Sequence, residues 1–225
     1  MRIYILVIVG LFSTMLIAQE IVIGCLNLVA RGTTFEKVHV CEDIDPNNIR
    51  TNEMIMSVIS ELEIDLARVE FRGCENSYYS VKTIAEEGQK PKYIITYPLN
   101  KLEYNFAPIV HELSHIVQME EYGGYHNLKK NNDSLRIGLG ADFIAGVIYY
   151  LYLPETDPNQ FHLSTSVYGL YREFSADAHG TPSQRSSAFL TGYNWYKIDK
   201  TREGMKVGEA HSYFQNEQYG NVVSF

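Results

Sequence analysis

Residues 105–121 read Asn-Phe-Ala-Pro-Ile-Val-His-Glu-Leu-Ser-His-Ile-Val-Gln-Met-Glu-Glu, and this stretch decides the fold. Asn105 is suited to cap a first helical turn, and Pro108 falls within that turn, where its missing N–H costs little. The apolar residues recur at the spacing of one helix face, at Ile109, Leu113, Ile116 and Val117. The stretch therefore predicts a buried helix.

Two histidines on this helix form a possible metal site. His111 and His115 are four residues apart, which places them on one face of the helix, one turn from each other. Two imidazoles in this arrangement can share one Zn²⁺ ion, and Glu112 lies beside them to act on a metal-bound water. The alternative is two structural histidines on an ordinary helix. We favour the metal site.

The whole chain has the composition of one globular domain. It has 225 residues, of which 45 % are hydrophobic and 20 % are charged, so it is long enough for a sizeable core. We expect a single domain spanning residues 19–225. The net charge of −8 and the lack of a lysine and arginine cluster argue against a nucleic-acid partner.

Residues 1–18 have the layout of a secretory signal peptide. One positive charge, Arg2, precedes an apolar run that ends at Ala18 and is followed by polar residues. The alternative is a membrane anchor, but the 16-residue run from Ile3 to Ala18 is shorter than the about 20 residues that span a bilayer. We expect cleavage after Ala18, a secreted or periplasmic protein, and no stable membrane span after cleavage.

Three cysteines, Cys25, Cys41 and Cys74, leave the disulfide pairing open. In an exported protein one pair could form a disulfide and leave the third thiol free. No two of them have a Cys-x-x-Cys spacing, which argues against a cysteine zinc site.

Outside the motif, the hydrophobic pattern predicts a mixture of strands and helices. Further helices are predicted at 49–63, 139–151, 161–174 and 181–197, and strands at 37–41, 64–71 and 92–97. Residues 122–137 are predicted to form a polar loop, and the tail after residue 204 is polar and poorly specified. The strand at 92–97 leads almost directly into the motif helix, a layout that lets an extended peptide pair beside the metal.

Three motifs occur in order within residues 92–196. They are His111-Glu-Leu-Ser-His-Ile-Val-Gln118, Ala141-Asp-Phe-Ile-Ala-Gly-Val147, and His179-Gly-Thr-Pro-Ser-Gln-Arg185, which opens a helix containing Gly192-Tyr193. Together they resemble the bacterial neutral zinc metallopeptidases, a zincin-like family. The resemblance implies an α+β zincin-like fold, with a small sheet packed on the active-site helix and a mainly helical C-terminal half. It also implies a Zn²⁺ cofactor and a peptide or protein substrate.

The chain departs from this family at the expected third zinc ligand. In the family the second helix usually reads Glu-x-x-Ala-Asp, whereas Gly138 occupies the position of that glutamate here. Asp142, one turn further on, could coordinate the metal, or it could instead accept a hydrogen bond from a zinc histidine. Glu173, within a literal Glu-x-x-Ala-Asp, is the other candidate. We predict Asp142 as the ligand beside the two histidines; if neither acid substitutes, the activity is lost.

The third motif contributes two further residues. By resemblance, His179 could approach the zinc and hydrogen-bond the oxyanion of peptide hydrolysis, so we predict it as catalytic together with Glu112. Its alternative role is packing at the turn before the last helix. Arg185 is expected to pair with an acid such as Asp142 or Asp177. The other histidines are expected to be structural or exposed: His39, His126, His162 and His211.

Two functions are compatible with these motifs. The first is an exported zinc metallopeptidase, in which Glu112 takes a proton from the metal-bound water that attacks the scissile carbonyl. The second is a catalytically inactive zincin-like envelope protein that binds peptide or a protein partner, an interpretation favoured by Gly138. We favour the peptidase because Glu112 and both histidines are intact.

Overall fold

The structure, a computed structural model, describes residues 21–23, 49–74, 79–84, 90–99, 106–159, 180–198 and 207–224. It confirms the predicted α+β class, with a small mixed sheet and mostly helical content. Some predicted features lie outside these ranges: the signal peptide at 1–18, the strand at 37–41, the helix at 161–174, and Cys25, Cys41, Asn105, Glu173 and His179.

The sheet contains four strands: β1 (Ile21–Ile23), β2 (Val69–Cys74), β3 (Ser80–Ile84) and β4 (Lys92–Pro98). Their order is β1-β3-β4-β2, with β3 antiparallel to both of its neighbours and β2 parallel to β4. Ile95 in β4 pairs with Phe71 on one side and Val81 on the other, and all three side chains are buried. Alternate residues of these strands thus supply the apolar face of the sheet.

The strand before the motif helix is predicted correctly, but it lies in the interior of the sheet. β4 is hydrogen-bonded to β3 on one side and to β2 on the other, so residues 93–96 have no open edge. An extended peptide therefore cannot pair with β4 itself. Strand neighbours depend on contacts between distant residues, which the local pattern does not contain.

The described residues contain seven α-helices: α1 (Glu53–Glu61), α2 (Phe106–Glu121), α3 (Tyr125–Asn131), α4 (Ser134–Tyr152), α5 (Pro182–Ile198), α6 (Val207–Tyr213) and α7 (Tyr219–Val223). Short 3₁₀ turns precede α1 and β2, and a π-helical turn joins α6 to α7: Ile49–Thr51, Leu66–Arg68 and Phe214–Gln218. The predictions of α1, α2, α4 and α5 are confirmed.

Two segments predicted without regular structure are helical, and one strand begins later than predicted. Residues 122–137 contain α3 and the start of α4, where Asp133 caps the helix by accepting a hydrogen bond from Arg136 N at 2.7 Å. The tail after residue 204 forms α6 and α7. The strand predicted at 64–71 begins only at Val69, because a 3₁₀ turn occupies the residues before it.

The start of α5 positions one residue of the site. Gln184 N donates to Thr181 Oγ1 at 3.2 Å, and Thr181 N donates to Gln184 Oε1 at 3.0 Å. This reciprocal capping box satisfies two backbone donors that the helix itself leaves open. It fixes the first turn of α5, and Arg185 lies at the end of that turn.

Helices α4 and α5 are in direct backbone contact. Gly146 of α4 faces the Phe189 carbonyl, and Gly192 of α5 faces the Phe143 carbonyl, so closely that a Cβ atom on either glycine would overlap the carbonyl oxygen. Only glycine permits this approach, because it has no side chain. We name this contact the glycine crossing. It sets the separation of the two helices one turn away from Arg185.

Helix α4 is long and apolar enough to cross a membrane by length and composition. However, 72 % of the apolar stretch of α4 is buried inside the structure, where the helix packs between α2 and α5. This is the position of a core helix. The carboxylate of Asp142 lies within it, fully buried.

Candidate metal centre

Helix α2 places both motif histidines and Glu112 in the protein interior. His111 and His115 are each 2 % exposed and Glu112 is 1 % exposed, because the sheet, α4 and α6 pack around the helix. The two rings meet edge to face, with their centroids 4.7 Å apart and their Nε2 atoms 3.1 Å apart. The prediction that both rings lie on one helix face is confirmed.

The outer nitrogen of His111, which is Nδ1, faces an ion pair. His111 Nδ1 lies 2.8 Å from Asp142 Oδ1 of α4. Arg185 of α5 donates to both oxygens of that carboxylate, from Nε at 2.6 Å and from Nη2 at 2.7 Å. The predicted pairing of Arg185 with Asp142 is therefore confirmed, and three helices meet at His111.

The neighbouring charges indicate which ring nitrogen of His111 carries the hydrogen. Burial alone would raise the pKa of Asp142, but the neighbouring Arg185 guanidinium and His111 lower it to about 2. Burial lowers the pKa of His111, an effect that Asp142 opposes and Arg185 reinforces. His111 Nδ1 lies between a group that only accepts, Asp142 Oδ1 at 2.8 Å, and a group that only donates, Arg185 Nη2 at 3.3 Å. The shorter contact favours a hydrogen on Nδ1 that is donated to Asp142.

The position of Asp142 bears on its predicted role as third zinc ligand. Its carboxylate contacts the outer nitrogen of His111 and is engaged on both oxygens by Arg185. This geometry favours the alternative role, an acceptor that orients a zinc histidine. Gly138 lies one turn earlier on α4 and is buried, with no side chain to offer a ligand.

The outer nitrogen of His115, also Nδ1, faces Gln118, a residue to which the sequence pattern assigns no role. His115 Nδ1 lies 2.8 Å from Gln118 Oε1, and Gln118 Nε2 donates to the Ile137 carbonyl at 3.0 Å. The sequence gives one indication of this contact: Gln118 lies three residues after His115, which puts both side chains on the same helix face. Its partner on α4 is not visible in the local pattern.

The inner nitrogens of the two rings, the Nε2 atoms, lie close together. With Nδ1 as the donor on each ring, Nε2 of each ring carries a lone pair. Two imidazole nitrogens bound to one tetrahedral Zn²⁺ lie about 3.3 Å apart. The 3.1 Å separation of the two Nε2 atoms fits this value. Within the described ranges, no group of three His, Cys, Asp or Glu side chains is arranged to hold a metal.

Glu112 has one buried carboxyl oxygen without a partner among the described residues. The carboxyl group accepts a hydrogen bond from the backbone N–H of Val81, whereas Oε2 has no hydrogen-bond partner among the residues that the structure describes. Burial raises the pKa of Glu112 to about 8, despite the opposing charge of Arg185. A carboxyl group with this pKa can hold or release a proton near neutral pH.

A third buried histidine lies beside the centre, on α6. His211 is fully buried, neither ring nitrogen has a hydrogen-bond partner among the described residues, and Nε2 is 3.5 Å from Glu121 Oε2. The structural role that the sequence predicts for His211 fits this burial. The other described histidine outside the motif, His126, is exposed, as predicted.

The burial of His211 predicts a loss of stability in acid. Burial lowers its pKa to about 4, whereas an unfolded histidine titrates near 6.5, so the unfolded state binds the proton first. Stability that is complete above pH 6.5 is therefore lost as the pH falls toward 4. The loss between pH 7.5 and 4.5 is about 2.5 kcal/mol.

Urea unfolding at the two pH values measures this contribution. His211→Leu should reduce the acid-induced loss by most of that amount, whereas His126→Leu, at an exposed position, should leave it unchanged. An equal pH dependence in wild type and His211→Leu would contradict the assignment.

Comparisons of the chain with protein-family models, with curated proteins and with solved structures find no match. The chemistry of this centre therefore rests on its own geometry.

Proposed function

We propose that this protein is an exported zinc-dependent peptidase whose metal is held by Nε2 of His111 and of His115. The observation that carries this proposal is the pair of ring orientations. Each ring directs Nδ1 to an acceptor, Asp142 or Gln118, and the two Nε2 atoms converge to 3.1 Å. Outer acceptors of this kind are typical of histidines that bind zinc.

The third ligand is one of two acids. Asp142 is the residue predicted from the sequence, but Arg185 and His111 already engage its carboxylate. Glu173 is the other candidate, and it lies outside the described residues. Because Arg185 and His111 already occupy the carboxylate of Asp142, we favour Glu173 as the ligand. Asp142 is then the acceptor that orients His111.

The chain supplies proton transfer and positioning around the metal. A bound Zn²⁺ supplies a Lewis acid that polarises the scissile carbonyl and acidifies water. Glu112 takes a proton from the attacking water and passes it to the leaving amine. His179 keeps its predicted role at the oxyanion.

A second candidate function is binding of a peptide or protein partner without hydrolysis. The burial of the centre favours it, because both histidines and Glu112 are at most 2 % exposed. Hydrolysis requires a substrate carbonyl to reach the two Nε2 atoms, whereas a binding protein needs no access to them. Zinc content separates the two functions, since a binding protein needs no zinc.

The first test is metal content, measured by elemental mass spectrometry on the mature protein purified without a histidine tag. We expect about one zinc per chain in the wild type and a loss of zinc in His115→Ala and Glu173→Ala. Asp142→Asn should still bind zinc, with affinity lower by about 10–100-fold. Asp133→Asn, at the exposed cap of α4, is the matched control and should bind normally.

Two results would contradict this assignment in different ways. Zinc lost from Asp142→Asn but kept in Glu173→Ala would make Asp142 the third ligand. No zinc in the wild type, even after incubation with the ion, would exclude the peptidase and leave the binding protein.

A further inference from the structure

The side chain of Gln118 bridges α2 and α4 inside the protein. It is fully buried, with Oε1 at 2.8 Å from His115 Nδ1 and Nε2 at 3.0 Å from the Ile137 carbonyl oxygen. A carbonyl oxygen only accepts hydrogen bonds, so the amide nitrogen must face Ile137 and the amide oxygen must face His115. His115 Nδ1 is then the donor, which leaves the lone pair of this ring on Nε2.

Gly140 of α4 leaves the space that this bridge occupies. A Cβ atom at this position would lie 2.6 Å from Gln118 Nε2, 3.1 Å from Gln215 Nε2 and 3.3 Å from His211 Cε1, so its closest contact would be with the Gln118 carboxamide. The backbone here is ordinary α-helix, so the conformational freedom of glycine is not what the position requires. An alanine would displace the carboxamide of Gln118 from Ile137 and thereby from His115.

We propose that Gln118 is the positioning residue of His115, and that α4 holds both metal histidines from outside. Asp142 of α4 orients His111 directly, and the Ile137 carbonyl of α4 orients His115 through the carboxamide of Gln118. Both lone pairs are thereby placed on the Nε2 atoms, 3.1 Å apart, in the absence of the metal. This inference rests on the proposed zinc site. It adds Gln118 to Asp142 as a residue that orients a zinc histidine through Nδ1.

The test is the zinc affinity of the full mature chain, measured by competition with a chromophoric chelator. Gln118→Met removes the acceptor at similar volume and should weaken zinc binding by about 10–100-fold. Gln118→Glu keeps an acceptor oxygen beside His115 but loses the amide donor to the Ile137 carbonyl, so its zinc affinity should fall between those of the wild type and Gln118→Met. Ser114→Ala is the matched control, since it removes a buried hydroxyl of α2 that donates to the Val110 carbonyl of the same helix at 2.8 Å.

Gly140→Ala tests the same bridge without changing Gln118. It should weaken zinc binding in the wild-type background and add no further loss to Gln118→Met, because both changes remove one contact. Gly220→Ala, with open space around its Cβ, is the control for adding a methyl group to a helix. If Gln118→Met fails to give a cooperative thermal transition with the chelator present, Gly140→Ala decides the outcome.

The possible results separate this inference from the function on which it rests. Wild-type affinity in Gln118→Met and in Gly140→Ala, with zinc bound normally by the wild type, would overturn the role of Gln118 and leave the metal site standing. Absence of zinc binding in the wild type would overturn the metal site and this inference together. Weakening in both variants, with Gln118→Glu less affected than Gln118→Met and Ser114→Ala close to wild type, is the expected result.

Discussion

Replacing Glu112 with glutamine is expected to lower peptide hydrolysis by about 10²–10⁴-fold while zinc stays bound. Glutamine has nearly the same shape as glutamate, but its amide cannot take a proton from water or return one to the leaving amine. Glu112 is not one of the proposed ligands, and its Oε2 atom has no hydrogen-bond partner among the described residues. The substitution should therefore remove proton transfer and spare the metal.

Turnover of a mixed pool of quenched fluorescent peptides measures this effect, with zinc content determined on the same samples. Glu121→Gln is the matched control, because it makes the same chemical change on the same helix at a partly exposed carboxylate. It should retain the wild-type rate. Hydrolysis at the wild-type rate in Glu112→Gln would exclude Glu112 as the proton carrier, whatever the metal content.

Arg185→Met is expected to destabilise the protein by about 3–5 kcal/mol, because it leaves Asp142 as a buried charge without its cation. Asp142 is 0 % exposed and Arg185 is 2 % exposed, so water cannot replace the lost guanidinium. The pKa of Asp142, now about 2, should rise, since Arg185 is the largest favourable influence on the carboxylate. Urea unfolding at pH 7 gives the free-energy difference.

The double variant Asp142→Leu/Arg185→Met separates loss of a charge partner from loss of packing. It removes both charges together, so it should recover most of the stability that Arg185→Met alone loses. Arg72→Met, at a partly exposed pair with Glu70, should cost much less, about 1 kcal/mol, because water can reach the carboxylate that is left. If the double variant were as unstable as Arg185→Met, packing and not the buried charge would explain the loss.

The motif helix and its two rings are predictable because each depends on residues close in sequence. The spacing of His111 and His115 fixes their relative position on any α-helix. The pairing of Arg185 with Asp142 is predictable for a different reason: a carboxylate within an apolar helix needs a partner wherever that partner comes from. Neither inference requires knowledge of the sheet.

The parts that the sequence does not predict depend on contacts between distant residues. β3 is five residues long, between segments without apolar periodicity, and only its pairing with β1 and β4 makes it a strand. In the tail, Val207, Ala210 and Phe214 have helical spacing, but the π-helical turn that follows shifts the pattern. The role of Gln118 is likewise hidden, because its second partner lies 19 residues away.

The glycine crossing makes the centre insensitive to changes elsewhere in the core. Side chains that separate two helices can change rotamer or be replaced, and the helices then shift to fit them. At Gly146 and Gly192 the two backbones themselves are in contact, and a backbone has no rotamer to change. Substitutions among the surrounding apolar residues should therefore leave the alignment of Asp142 with Arg185 in place, and with it the position of the His111 ring.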